Sequence, residues 1–564
     1  MLRLLKQKEY LRNFKEGEDN LTFLADFILT NKEEYPIKIV FDEHFPTYLP
    51  EIFINGVDLD KIDHPHIDRN GKICFLDTSG LVWSREPSDC LDLVFGQVEK
   101  LLLLDEQKLK VEYHKEFDYF ILSLDNSRIA SSIGENFDDL EEIGLVTKKT
   151  KPISFVKKDT SSQDILNRKL FDQNNEVNST GIFIRLSKQY HGKIPKYEKF
   201  WSTKEISNII KTFTTKETIS CLNNMSVPNK QNYYFLVEFT LLTGRKALLG
   251  FWYKRFKKKA KIETIPLIDP DADDYFTIIP LYIQSFDSTL LERSGGNIIK
   301  DNVLLVGCGS LGSNILFLLS QAGFANITIV DNDLISVENT CRHFLGANYG
   351  VKRRKKVEAL KEEIELRYPL TFIRTFDKDI LQLINDGIIS FDNYDLVIVA
   401  IGDPNIEKWI NREILKTTTP AIFSWIEPYG LGGHSLLINN SGKGCYECIF
   451  TNEIYNEVSF AEIGRETYIK NITGCGGSFT PYGNIDAMQT ALIATRLALS
   501  YINHQINGNI LASWKGSDSA FLSAGYKTTQ RFNEMNNTIT METMTAAKPN
   551  CVCSHEENIN DYNL

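Results

Sequence analysis

Nowhere does the chain offer the roughly 18 consecutive uncharged apolar residues that a membrane-spanning helix requires. Its opening, Met1-Leu2-Arg3-Leu4-Leu5-Lys6-Gln7-Lys8-Glu9, breaks its apolar run with charges, so it does not read as a secretory signal. A broad basic surface is missing as well: 63 Lys and Arg stand against 74 Asp and Glu, a formal net charge of -11. Lys-rich runs at 254–261 and 352–356 are local, and sequence-independent nucleic-acid binding, which needs many phosphate-neutralising cations, is disfavoured. Cysteine is scarce, with ten in 564 residues, at positions 74, 90, 221, 308, 341, 445, 448, 475, 551 and 553. That sparse, C-terminally weighted set does not make a disulfide framework; it suits metal binding or catalysis in a reducing compartment. No internal repeat or low-complexity tract is present. The expectation is a cytoplasmic protein without membrane or nucleic-acid partners.

What is present is length enough for three or four domains of roughly 100–200 residues. Residues 1–120 carry strand-like runs at 20–29, 35–41 and 51–54, with Phe45-Pro46-Thr47-Tyr48-Leu49-Pro50 between the last two. Leu91, Leu93, Val94, Phe95, Val98, Leu101 and Leu102 then give a helical apolar face, so the region reads as α+β. Residues 121–295 read as a mixed connecting domain: 125–142 and 146–163 are polar and loop-like, and strand-like runs return at 233–242 and 247–253. Residues 296–564 alternate strands and helices. The short apolar runs Val303–Val306, Ile327–Val330 and Leu396–Ala400 are of the buried parallel kind, which predicts a doubly wound α/β domain.

The first of those runs enters Gly307-Cys308-Gly309-Ser310-Leu311-Gly312 and then a predicted helix from about 313 to 322. This is G-x-G-x-x-G between strand and helix: the glycines let backbone approach phosphate, and the helix N-terminus supplies free N–H groups. Asp331 closes the next strand, where an acid would bond ribose hydroxyls. The same motif serves a nicotinamide dehydrogenase, and glycines used only for packing would also produce it. The residues downstream of Asp331 shift the reading: Asn339, Arg342, Lys356 and, after the strand 395–400, Gly402-Asp403. A dehydrogenase has no need of Arg, Lys and a second Asp converging on one nucleotide. Adenylation does, because a carboxylate must attack the α-phosphate of ATP and both are anions; Mg²⁺ and cationic side chains offset the repulsion.

This constellation resembles the adenylation domain of ubiquitin-activating enzymes and their bacterial ThiF/MoeB-type relatives, over about residues 300–555. The resemblance implies that Asp331 holds ribose, Asn339 and Arg342 contact phosphates, Lys356 stabilises the reacting phosphate and Asp403 binds Mg²⁺, with Gly307, Gly309 and Gly312 forming the cradle. Each has an ordinary alternative: Arg342 and Lys356 as surface charges, Asp403 as a loop cap. The family brings an upstream Arg to the nucleotide, and Arg293 is the nearest one here, without a matching motif around it.

Cys445-Tyr446-Glu447-Cys448 and Cys551-Val552-Cys553 are two close thiol pairs from distant segments, which can complete a tetrahedral S₄ zinc site. The family's second pair is usually C-x-x-C; here it is C-x-C, and His555 is a possible substitute ligand. Free thiols near a chain end are the alternative. Cys475 stands in Gly474-Cys475-Gly476-Gly477-Ser478, ahead of a predicted helix. A loop cysteine is accessible, as a nucleophile on an acyl-adenylate must be, and in the family the thioester cysteine lies there. A small buried thiol is the alternative for Cys475, and Cys551 or Cys553 would compete for the role if no zinc were bound.

In the first 120 residues the strands, Pro46 to Pro50, His64-Pro65-His66, Gly71-Lys72-Ile73-Cys74-Phe75-Leu76, Trp83 and the helix come in an order similar to ubiquitin-conjugating enzymes. The resemblance implies that Cys74 is a transfer cysteine; a buried strand-end thiol is the alternative. His66 stands where that family usually has an oxyanion-supporting Asn. An imidazole N–H could donate the same bond, or His66 could be structural.

A conjugating-type domain ahead of an activating-type domain resembles the fused enzymes of bacterial CBASS antiphage operons. That implies activation of a protein C-terminus with ATP, Mg²⁺ and Zn²⁺. The acyl group would pass from Cys475 to Cys74 and on to a target lysine, in a homodimer. The carried protein would be a nucleotidyltransferase making cyclic nucleotide signals or, in other operons, a ubiquitin-like protein. Activation of a sulfur carrier for cofactor synthesis and a non-catalytic adaptor are the rival readings.

Overall fold

Strictly apolar four-residue runs can be buried on both faces, and in the second half of the chain they build one large sheet. The structure is a computed structural model. It describes residues 1–17, 19–58, 64–76, 81–133, 137–148, 151–156, 177, 179–195, 200–257, 262–286, 296, 298–439, 444–451, 455–462, 468, 470–471, 478–544, 547–549 and 551–554. The chain divides into two compact units, one drawn from Met1–Ser132, Asn136–Asp159 and Asn175–Ser285, the other mainly from Phe286–Leu564.

The first unit opens with an antiparallel meander of β1 (Leu11–Glu16), β2 (Thr22–Ile28), β3 (Glu34–Val40) and β4 (Glu51–Ile54). Period-two alternation turns Phe23, Ala25 and Phe27 of β2 inward. Helix α1 (Pro87–Leu102), with Pro at its first turn, buries Leu91, Val94, Phe95 and Val98 against that face. Between them the chain doubles back: Ile54 N–H donates to Gly71 O at 2.7 Å and Ile73 N–H to Ile52 O at 2.8 Å. Helices α2 (Glu106–Lys115) and α3 (Phe117–Ser123) come next.

A closed seven-stranded barrel is then built from β5 (Arg128–Ile133), β6 (Leu140–Lys148), β7 (Lys151–Val156), β8 (Ser179–Arg185), β9 (Asn232–Thr240), β10 (Lys246–Arg255) and β11 (Phe276–Phe286), ordered β10-β11-β5-β7-β6-β8-β9. Helices α4 (Thr203–Phe213) and α5 (Lys216–Asn224) precede β9. The sequence reading of 125–142 and 146–163 as loops is corrected here, because β5, β6 and β7 come from those stretches. Each of these strands sends only one or two buried residues into the barrel's apolar cluster, Ala130 from β5, Ile143 and Leu145 from β6 and Phe155 from β7, so the apolar signal is thin along the sequence. Their hydroxyls can pair across strands, as Ser131 and Ser154 do, buried, at 2.9 Å.

The second unit is an eight-stranded sheet. Its strands are β12 (Ile299–Val306), β13 (Phe324–Val330), β14 (Phe372–Phe376), β15 (Leu396–Val399), β16 (Ala421–Ile426), β17 (Gly432–Ile438), β18 (Asn509–Lys515) and β19 (Ile539–Met544). The order is β14-β13-β12-β15-β16-β17-β18-β19, parallel through β16 and antiparallel beyond it. Helices α6 (Ser310–Gln321), α7 (Lys356–Arg367), α8 (Ile380–Asn385), α9 (Pro404–Ile414) and α10 (Asn484–Ile502) cover it. Val303, Leu305, Leu396 and Ile398 join one core, with residues of α6, α7 and α10. Leu304, Val306, Val397 and Val399 join the other, with α8 and α9. This is the doubly wound arrangement that the apolar runs predict. No helix among the described residues is long and apolar enough to cross a membrane.

Candidate active site

The C-terminal ends of β12, β13 and β15 place the motif residues on one edge of the parallel sheet, where open α/β folds bind ligands. At the end of β12, Gly307 has φ +91 and a Cβ there would lie 2.6 Å from Ala400 O. A Cβ on Gly312 would lie 1.8 Å from Gly307 O, so two of the glycines are required by packing. Gly309 differs: nothing lies within 4 Å of an added Cβ. It is the N-cap of α6, whose first turn carries no acid and whose cap has no side-chain acceptor, so N–H groups there are left for an anion. Asp331, one residue past β13, pins the turn from below. Its Oδ2 accepts the Cys308 N–H at 2.7 Å and its Oδ1 accepts the Asp333 N–H at 2.8 Å.

The loop after Asp331 is clamped to the start of α6. Ser310 Oγ donates to Arg342 O at 2.7 Å, and the Phe344 N–H donates to Ser313 Oγ at 3.1 Å. His343 is buried; its Nδ1 accepts the Leu345 N–H at 3.0 Å, so Nε2 carries the proton and donates to Cys308 O at 2.9 Å. Burial holds the His343 pKa down at about 4 and pushes the Cys308 thiol well above its ordinary value. Asn339 Oδ1 accepts from Ser336 N–H and Oγ, both at 3.1 Å, which leaves its amide N–H₂ to a ligand. The Arg342 guanidinium lies 4.9 Å from the Tyr482 ring centroid and donates to Thr480 O at 3.1 Å. Lys356 begins α7 and is buried. Its Nζ pairs with Asp333 Oδ2 at 2.7 Å and lies 3.8 Å from Asp331 Oδ1.

Gly309, Ser310, Asn339, Arg342 and Tyr482 border a cavity of about 650 Å³. Its wall includes Gly309, Asn339, Arg342, Gly402, Pro404 and Glu407; Asp331, Lys356 and Asp403 are not among its lining residues. Asp403 is the N-cap of α9, and its Oδ1 accepts the N–H groups of Asn405 at 2.9 Å and Ile406 at 3.4 Å. The loop-cap role is therefore real, and it occupies one carboxylate oxygen.

Three cavity residues escaped the sequence reading. Glu407 is buried at 2% exposure, and burial pushes its pKa up to about 7. The available signal was an acid on the face of α9 that also buries Ile410, Asn411 and Ile414. Tyr446, between two cysteines, gives its O–H to Glu407 Oε2 at 2.5 Å. Trp425 Nε1, in the same wall, is buried with no hydrogen-bond partner among the described residues.

Cys445, Cys448, Cys551 and Cys553 converge, with all four Sγ atoms within 4.8 Å of one another. The Cys445–Cys551 and Cys448–Cys553 sulfurs are 3.5 Å apart, too far for disulfides and near the about 3.8 Å edge that a tetrahedral Zn–S₄ centre implies. The C-x-C pair thus brings both sulfurs to the cluster. Cys475, Arg293 and His555 lie outside the described residues.

In the first unit the returning loop sets Cys74 beside His66, whose carbonyl accepts the Cys74 N–H at 2.8 Å. The His66 ring points to α2, with Nε2 3.2 Å from Glu112 Oε2. Cys74 is exposed and free, on the wall of a cleft of about 640 Å³ shared with Tyr48, Leu49, Glu51, Lys72 and Trp83. Desolvation of the sulfur and the nearby Asp68 push its pKa up, and Lys72 opposes them. Trp83 Nε1 donates to Pro46 O at 2.8 Å, closing one side.

Residues 291–554 match the ThiF family, and the chain carries over that span a ThiF-type, E1-like adenylation domain. Among similar proteins, the "ATP-dependent ubiquitin transferase-like protein Cap2" of Vibrio cholerae is 27% identical over 242 residues, 39% of this chain and 39% of that protein. The "SUMO-activating enzyme subunit uba-2" of Caenorhabditis elegans is 26% identical over 155 residues, 27% of this chain and 25% of its own. The "Adenylyltransferase and sulfurtransferase UBA4" of Scheffersomyces stipitis is 30% identical over 152 residues, 27% of this chain and 33% of its own. The chain thus spans well under two thirds of the length of each of these relatives.

Proposed function

We propose that the protein activates the C-terminal carboxylate of another protein with ATP, carries it as a thioester and joins it to an amine. The observation behind this is one cavity whose wall carries Gly309, Asn339 and Arg342 together with Gly402, the residue before Asp403. A reaction between two anions needs N–H groups and a guanidinium on one side and a carboxylate for a metal on the other. Asn339 and Arg342 bind and orient phosphates, Asp331 keeps the glycine turn in place beside ribose, and Asp403 Oδ2, not needed for the cap, is the atom for Mg²⁺. When bound, Mg²⁺ neutralises phosphate charge. Lys356, poised between Asp331 and Asp333, turns toward the reacting phosphate once nucleotide is bound.

The carried carboxylate attacks the α-phosphate, giving an acyl-adenylate and pyrophosphate. The Cys475 thiolate attacks the acyl carbon and AMP leaves. Cys74 takes the acyl group by thioester exchange, and a lysine amine takes it from Cys74, with His66 beside that cysteine. The raised Cys74 pKa makes proton removal from that thiol part of the exchange. The four-cysteine cluster holds structural Zn²⁺. The likeness to a ubiquitin transferase-like protein supports ATP-dependent transfer of a protein; a nucleotidyltransferase of antiphage defence as the carried protein and a homodimer as the working form complete the proposal. A ubiquitin-like protein or a sulfur carrier is the second reading; a thiocarboxylate product with no adduct on Cys74 would favour the carrier.

Intact-mass analysis with candidate substrate, ATP and Mg²⁺ tests the scheme. The expected result is a thiol-sensitive adduct that persists in Cys74→Ala and vanishes in Cys475→Ala. An adduct on Cys74 in the absence of Cys475 would overturn the relay. Absence of ATP–pyrophosphate exchange would overturn adenylation itself.

A further inference from the structure

Helix α9 runs between two features that the proposed reaction treats separately, the Gly402–Asp403 turn and the four-cysteine cluster. At its start Glu407 is 2% exposed, and both its oxygens are occupied: Oε1 by the Gly402 N–H at 3.1 Å, Oε2 by the Tyr446 O–H at 2.5 Å. Gly402 has φ +76, a conformation that side-chain-bearing residues rarely adopt, so this turn is held by its hydrogen bond and by its glycine. One turn further along, the Tyr446 N–H donates to Asn411 Oδ1 at 3.0 Å. Asn411 Nδ2 in turn donates to Cys445 Sγ at 3.5 Å. Arg412 then grips Glu447 with two hydrogen bonds of 2.9 Å. Tyr446 itself is stacked on Phe423, with centroids 4.4 Å apart. The helix is thus fastened to the Cys445–Cys448 segment by the side chains of Glu407, Asn411 and Arg412.

We infer that Glu407 is a positioning residue, which transmits the seating of Tyr446 in the cysteine knuckle to the Gly402–Asp403 turn and so sets where the Asp403 carboxylate meets Mg²⁺. The inference rests on the adenylation reading. An acid is costly to bury, and an apolar residue would pack in this wall at lower cost. Here the carboxylate is retained because it accepts two hydrogen bonds from opposite sides at once. Asp403 is the N-cap of the same helix, so any tilt of the first turn of α9 moves its carboxylate.

The test uses the full chain with Tyr446→Phe, Glu407→Ala and Glu407→Gln, measuring the Mg²⁺ dependence of ATP–pyrophosphate exchange and, as a binding readout, the Mg²⁺ concentration at which ATP raises the thermal midpoint, which should shift by the same factor. Tyr446→Phe and Glu407→Ala are expected to raise half-saturating Mg²⁺ about tenfold, the effect of one lost hydrogen bond to a charged group. The plateau rate stays within about twofold, because the cradle is untouched. Glu407→Gln restores most of the affinity, since its Oε1 still accepts the Gly402 N–H. An unchanged Mg²⁺ requirement in Tyr446→Phe, with wild type exchanging normally, overturns the positioning role alone. No exchange in wild type removes the adenylation reading and this inference with it. Should Glu407→Ala not fold, Tyr446→Phe carries the test, because it removes one oxygen atom and leaves the packing.

Discussion

Gly309 and Gly312 are three residues apart and identical in type, yet the fold asks different things of them. Gly312→Ala forces a methyl against Gly307 O, so it is expected to destabilise the second unit by about 1–3 kcal/mol or more, read as a lower thermal midpoint. Gly309→Ala meets open space, so the midpoint should hold while nucleotide affinity falls about tenfold, read by titration with a fluorescent ATP analogue. An equal effect of the two on stability would contradict the geometry. His343 gives a pH prediction. Its folded pKa lies near 4, below the ordinary 6.5, so the unfolded chain binds more protons between those values. Its contribution is complete above pH 6.5 and is lost as pH falls toward 4, at most about 3 kcal/mol. The fall in the urea midpoint between pH 7 and pH 5 should be smaller in His343→Gln than in wild type, with the part due to the other shifted groups, His114 among them, retained.

Among elements, the cysteine knuckle makes the clearest demand. The segment 445–449 has the cluster on one side and the side chains of α9 on the other. Cys448→Ser is expected to abolish a single bound metal ion in native mass spectrometry and to lower the thermal midpoint of the second unit. Retention of metal in Cys448→Ser would show that the four sulfurs are not one site. The barrel carries a different lesson. Its β5 and β7 each mix apolar residues with serine and one charge, and no periodicity within 125–163 announces them, because the partners that make them strands are β11, β6 and each other. Strands that come from an apolar run, such as β12, β13 and β15, were legible from the sequence.

For the whole molecule, the proposed relay requires that an acyl group held at Cys475 reach Cys74 in the first unit. With a homodimer as the working form, sedimentation analysis of the purified chain should give twice the mass of 64.5 kDa. A monomer at micromolar concentration would remove the dimer from the proposal. Mixing Cys74→Ala with Cys475→Ala chains then separates the routes. Restored conjugation means transfer between subunits, and continued inactivity means transfer within one.

By itself the amino-acid order determined what depends on neighbours along the chain. That covers the strand–glycine turn–helix unit, the parallel sheet implied by runs such as Val303–Val306, and the pairing of cysteines two or three residues apart. Only the tertiary structure decided that Lys356 rests between Asp331 and Asp333, that Tyr446 reaches Glu407, and that polar segments close into a barrel. Those outcomes depend on contacts between residues tens to hundreds of positions apart, and burial and hydrogen bonding at such distances leave no period in the sequence for a local reading to detect.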